Sequence, residues 1–126
     1  MTKRTLAAAG AILSGIGVAL GAFGAHALRP RVSIDLLGVF ETGVRYQMYH
    51  GLALLALAAW YDNLNPRSAG RVGWLFILGT TIFSGSLYLM VVTAFPALGA
   101  VTPIGGVLLL SGWLILALSL TGKTTR

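Results

Sequence analysis

No charged side chain occurs between Val72 and Gly122. A stretch of that length cannot cover the surface of a water-soluble fold, but it suits a bilayer. At about 1.5 Å per residue it supplies two helices that each cross a hydrocarbon core about 30 Å thick, plus a tight hairpin between them. Helices are the expected element because backbone polar groups in lipid must be satisfied within the segment. The spacing predicts spans over about 72–94 and 103–120, joined by the uncharged link Phe95 to Thr102. Pro103 after Thr102 marks a helix start, since the N–H that proline lacks is unpaired in a first turn. The whole chain agrees, with 56% hydrophobic and 10% charged residues and a mean hydropathy of +0.85. These are the values of an integral membrane protein, and the helical spans make the expected fold class all-α.

Two further spans precede these. Lys3 and Arg4 lead into an apolar run over 6–28. Its end, Ala25-His26-Ala27, imitates a signal-peptide cleavage site, but the run exceeds the roughly 7 to 15 residues of a signal core, so it is expected to stay as a span. Gly10, Ser14, Gly17, Gly21 and Gly24 recur within it at intervals of 4, 3, 4 and 3, which places small residues along one helical face. Helices in lipid associate through such close contact, so this face is predicted to pack against another helix, with a dimer seam or a ligand groove as the alternatives. Arg29, Pro30 and Arg31 should stop the helix. Ser33 can cap the next one, with Asp35 in its first turn. Ile34, Leu37 and Phe40 recur every three residues, which predicts an amphipathic helix lying along the interface. That helix is expected to bend at Gly43 into a second span over about 44–61. The basic connection Pro66, Arg67, Arg71 leads to the third span. The expected architecture is a single transmembrane domain over residues 1–126, with four antiparallel spans and an interfacial helix between spans 1 and 2.

The net charge of +6, from nine Lys and Arg against three acids, would raise nucleic-acid binding in a soluble protein. Here the basic residues sit in short tracts between spans, which argues for membrane topology and not for nucleic acid. With the amino terminus inside, Lys3, Arg4, Arg67, Arg71, Lys123 and Arg126 fall on the inner side, against Arg29, Arg31 and Arg45 outside. Both termini are therefore expected in the cytoplasm. Trp60, Tyr61 and Trp74 flank the inner connection as an aromatic belt. The absence of cysteine excludes disulfides and thiolate metal sites.

Glu41 to His50 is the densest run of polar and ionisable side chains. Intramembrane ionisable groups usually face protein and often mark function. Glu41, Arg45 and Tyr49 share one helical face, and Tyr46 and His50 another. An ion pair between Glu41 and Arg45 is expected, and His26 and His50 are expected at similar depth in the outer half, with Gln47 nearby. Three readings compete for the cluster. In the leading one it is a hydrogen-bonded clasp between helices. In the second it binds a small molecule, a lipid headgroup or a proton. In the third His26, His50 and Glu41 hold a metal, although no close His-x-x-His or Glu-x-x-His spacing supports this, and no metal or other cofactor is predicted. No nucleophile motif, phosphate loop or carboxylate pair is present, so no catalytic residue is assigned. Thr80, Thr81, Ser84, Ser86 and Tyr88 give the third span modest polarity, expected mostly to bond helix backbones.

Two motifs carry a resemblance. Leu20 to Leu28 reads Leu-Gly-Ala-Phe-Gly-Ala-His-Ala-Leu, and Tyr46 to Leu55 reads Tyr-Gln-Met-Tyr-His-Gly-Leu-Ala-Leu-Leu. In these, and in Ser84-Gly85-Ser86, the chain resembles the small four-span membrane family numbered 423 among domains of unknown function. The YgdD-like and YwdK-like bacterial proteins and mitochondrial transmembrane protein 256 belong to it. The resemblance implies a bacterial inner-membrane location and assigns no activity. Its recurrent positions fall on Gly21, Gly24, His26, Glu41, Tyr46, Gln47, Tyr49 and His50, and Gly51 stands where alanine is expected more often. The functional expectation is a non-enzymatic accessory or binding component, in contact with membrane lipids and with a second copy or another membrane protein. A small oligomeric transporter or proton-linked carrier is the alternative, and a metal-dependent membrane enzyme the third possibility.

Overall fold

A computed structural model of the protein describes residues 1–122; Lys123 and Arg126, counted above toward the inner charge, lie outside these. Among the described residues there are four long helices: α1 (Lys3–Phe23), α2 (Ile34–Ala59), α3 (Pro66–Thr93) and α4 (Thr102–Thr121). α1 runs on into a π-helical turn, Gly24–Leu28, and short 3-10 turns at Tyr61–Asn63 and Pro96–Ala100 connect the later helices.

Local chemistry sets the helix starts. Thr2 and Thr5 form a reciprocal capping box for α1. Ser33 accepts the Leu36 N–H at the start of α2, and Asn65 accepts the Arg67 N–H at the start of α3. Pro66 occupies the first turn of α3, where proline is tolerated. The connection Pro66 to Arg71, expected as a loop, is therefore the first part of that helix. Three continuous segments, Lys3–Leu28, Pro66–Thr93 and Pro96–Thr121, are long and apolar enough to cross a membrane. α2 has comparable length at 26 residues, but Asp35, Glu41, Arg45, Gln47 and His50 interrupt its apolar character.

Successive helices pack antiparallel. Along α1, a Cβ added at Gly10 would meet Gly51 and Leu55, one at Gly17 would meet Met48, one at Gly21 Val44, and one at Gly24 Phe40. Ser14 closes the series, since a Cβ on Gly51 would lie 2.5 Å from its Oγ. The entire small-residue face of α1 thus lies on α2, and at Gly10 and Gly51 the two backbones themselves touch. The same descending register joins α3 to α4, with Gly79 against Leu109 and Gly112 against Phe76. Leu6, Leu54, Leu57, Val72, Phe76 and Leu109 are buried at the end of the molecule carrying Lys3 and Ala59, and Leu28, Phe40 and Val91 at the other.

The expected interfacial helix and its bend at Gly43 are corrected by the structure: α2 is one uninterrupted helix from Ile34 to Ala59. Phe40 is core, Leu37 packs beside it, and only Ile34 of that apolar trio points outward, 89% exposed. Gly43 has a packing reason instead of a bending one. A Cβ there would sit 2.7 Å from the Tyr88 ring, so the missing side chain admits Tyr88 against the α2 backbone.

Candidate functional site

The polar run of α2 divides by face. Because α2 packs on α1 and α3, residues 43, 47, 50, 51 and 54 turn inward, while Glu41, Arg45, Tyr46 and Tyr49 stay exposed. Gln47 and His50, only 4% and 3% exposed, become the centre of a buried hydrogen-bond network. Gln47 Nε2 donates to the Leu13 carbonyl of α1 at 2.9 Å, and Gln47 Oε1 accepts the Tyr88 hydroxyl of α3 at 2.7 Å. One amide therefore joins three helices. A carbonyl can only accept, so these partners fix which way the amide points. Ser84 adds a second link from α3, donating to the Gly43 carbonyl at 2.7 Å.

His50 ties in α4. Trp113 Nε1 donates to His50 Nε2 at 3.0 Å, and His50 Nδ1 lies 2.7 Å from the Tyr46 carbonyl one turn back. An indole N–H only donates, so Nε2 must be bare, Nδ1 carries the proton, and the imidazole is neutral. The rings of Phe76 at 5.2 Å and Trp113 at 5.9 Å flank it. Trp113 was missed by sequence reasoning, although its position in the middle of α4 and away from the interfacial belt was a signal. An indole N–H buried among apolar side chains needs an acceptor.

The expected similar depth of the two histidines is not realised. His26 is exposed on the π-helical turn. The neighbouring Gly24 packs on Phe40, whereas His50 lies ten residues further along α2, about 15 Å by helical rise. The expected Glu41–Arg45 ion pair is also absent: among the described residues the one ion pair joins Lys3 to Asp62, both well exposed. Nor do three His, Asp or Glu side chains gather as a metal-binding group among the described residues. On α3, Thr81 is exposed and donates to the Ile77 carbonyl of its own helix, while Ser86 bonds Thr102 across the hairpin at 2.6 Å. Two buried hydroxyls, Ser14 Oγ and Thr80 Oγ1, have no partner among the described residues.

Long apolar helices, with polar side chains turned inward and bonded between helices, define an all-helical membrane protein. The chain belongs to the family described as "Protein of unknown function (DUF423)", which matches residues 20–106. It is 44% identical over 110 residues to UPF0382 membrane protein SH2409 of Staphylococcus haemolyticus, covering 87% of this chain and 89% of that one. To UPF0382 membrane protein YwdK of Bacillus subtilis it is 43% identical over 111 residues, covering 87% and 90%. No solved structure matches.

Proposed function

We propose that this is a four-span bacterial inner-membrane protein with both termini in the cytoplasm, acting as a non-enzymatic accessory component that docks a membrane partner through the outer face of α2. One observation carries the reading: α2 is tied inward to all three other helices by Gln47, His50 and the Gly43 carbonyl, while Glu41, Arg45 and Tyr49 remain outward. The buried groups act as a clasp. The outward ones lie where lipid would otherwise meet charge, which costs at least about 2.5 kcal/mol for an arginine near the bilayer centre. Arg45 lies roughly 7 Å deeper than Phe40 by helical rise, so a second copy or another membrane protein that pairs with Glu41 and Arg45 removes that cost.

The test compares particle mass and melting temperature in lipid nanodiscs extracted directly from membranes. E41Q/R45M should reduce the assembly to single chains and leave the melting temperature within about 2 °C. Q47L should lower the melting temperature. Unchanged particle mass in E41Q/R45M, or a melting loss equal to that of Q47L, would overturn the docking surface.

A further inference from the structure

A different feature concerns the end of the molecule that carries Lys3. Beside the first turns of α3 lies a cleft of about 700 Å³ lined by Arg67, Arg71, Trp74, Tyr61, Leu75 and Ile115. Arg67 and Arg71 are exposed and four residues apart, hence on one helical face. They stand at a helix N-terminus, where the macrodipole already places positive charge and disfavours cations. Among the described residues no carboxylate pairs with them. The chain's only acidic side chains are Asp35, Glu41 and Asp62, Asp62 is held by Lys3, and Glu41 lies 18 residues before the end of α2, about 27 Å away by helical rise.

Below the arginines the wall changes character. Trp74, 55% exposed, sits one turn beyond Arg71, and Leu75 and Ile115 form an apolar floor. Tyr61 closes one side, fixed by donating its hydroxyl to the Met1 carbonyl at 3.1 Å. Two guanidinium groups at the mouth suit a phosphate, for which arginine supplies several donors in one plane. A half-exposed tryptophan and an apolar floor suit what is attached to that phosphate in a lipid. A free inorganic anion would use the mouth and leave the floor bare. We propose that this cleft binds the headgroup of one anionic phospholipid, with Arg67 and Arg71 on its phosphate and Trp74, Leu75 and Ile115 against the start of its acyl chains. Basic pockets between membrane helices recognise lipid headgroups in this manner. The site requires only that the chain lie in a bilayer, so it stands apart from the α2 docking surface.

The experiment is native mass spectrometry of the full-length protein in detergent, titrated with dioleoyl phosphatidylglycerol, dioleoyl phosphatidylcholine or inorganic phosphate. One phosphatidylglycerol should bind per chain, well ahead of phosphatidylcholine, and inorganic phosphate should not compete at the same concentration. R67Q/R71Q should weaken phosphatidylglycerol binding about 30-fold, and each single variant about 5-fold. R29Q/R31Q, which removes the same charge at the other end of the molecule, should bind as the parent does. Equal binding of phosphatidylcholine, an equal loss in R29Q/R31Q, or displacement by inorganic phosphate would overturn the lipid site. So would a singly substituted R67Q or R71Q protein that melts with the parent and keeps its affinity.

Discussion

Removing both ends of the Gln47–Tyr88 hydrogen bond should cost less than the sum of removing each end alone. Gln47 makes two bonds through its amide, at 2.9 Å to the Leu13 carbonyl and 2.7 Å from the Tyr88 hydroxyl. Interhelical hydrogen bonds in membrane proteins average about 0.6 kcal/mol and reach about 1.7. Q47L therefore should lose between about 1.2 and 3.4 kcal/mol, with the orphaned Tyr88 hydroxyl pushing toward the upper end. Y88F removes one bond and leaves the Gln47 carbonyl oxygen bare, for a loss of about 0.6 to 1.7 kcal/mol. In Q47L/Y88F neither orphan remains, so the double variant should be more stable than the additive sum by about 1 kcal/mol. Equilibrium unfolding by sodium dodecyl sulfate in mixed micelles, followed by tryptophan fluorescence, measures all four corners of the cycle. Strict additivity of the two single losses would refute the bond, and with it the claim that Gln47 joins three helices.

Two further outcomes follow from the packing. Gly10→Ala would place a methyl 2.7 Å from the Gly51 carbonyl oxygen and 2.9 Å from the Leu55 nitrogen, both backbone atoms that cannot swing aside, so it should destabilise the protein by about 1 to 3 kcal/mol. Gly15→Ala on the same helix meets nothing within 4 Å and should be neutral or stabilising by up to about 1 kcal/mol, which the same unfolding assay reads directly. At His50, replacement by Phe should strand the Trp113 N–H and cost about 1 to 3 kcal/mol beyond any packing change, and adding W113F should recover part of that loss.

The helices were legible in the sequence because lipid simplifies the problem: uncharged runs and proline or serine starts mark helices whatever the tertiary contacts are. The orientation of the small-residue face of α1 toward another helix follows from the same reasoning, and the partner proves to be α2. What the sequence concealed was depth. Reading Gly43 as a bend started the second span at Val44 and brought His50 level with His26. In the structure α2 begins at Ile34, and Phe40 already takes the place opposite Gly24. The polar run also looked like one cluster because its residues are adjacent, whereas a helix sends Gln47 and Arg45 to different sides. Gly51 shows the limit of comparison by resemblance. An alanine at that position looks harmless, yet here its methyl would lie 2.5 Å from Ser14 Oγ and 3.0 Å from the Ser14 nitrogen. The identity of residue 51 is coupled to that of residue 14, and a one-dimensional reading has no means of seeing the pair.

The way His50 is held bears on the protons it can carry. Both of its nitrogens are engaged, one toward the Tyr46 carbonyl and one under the Trp113 indole. To accept a second proton the ring would have to evict an indole N–H that has no other partner and break α2 away from α4. An ionisable side chain buried among apolar helices is costly unless it is paired. Trp113 thereby locks the ring in one protonation state, and a titratable side chain serves as mortar between α2 and α4.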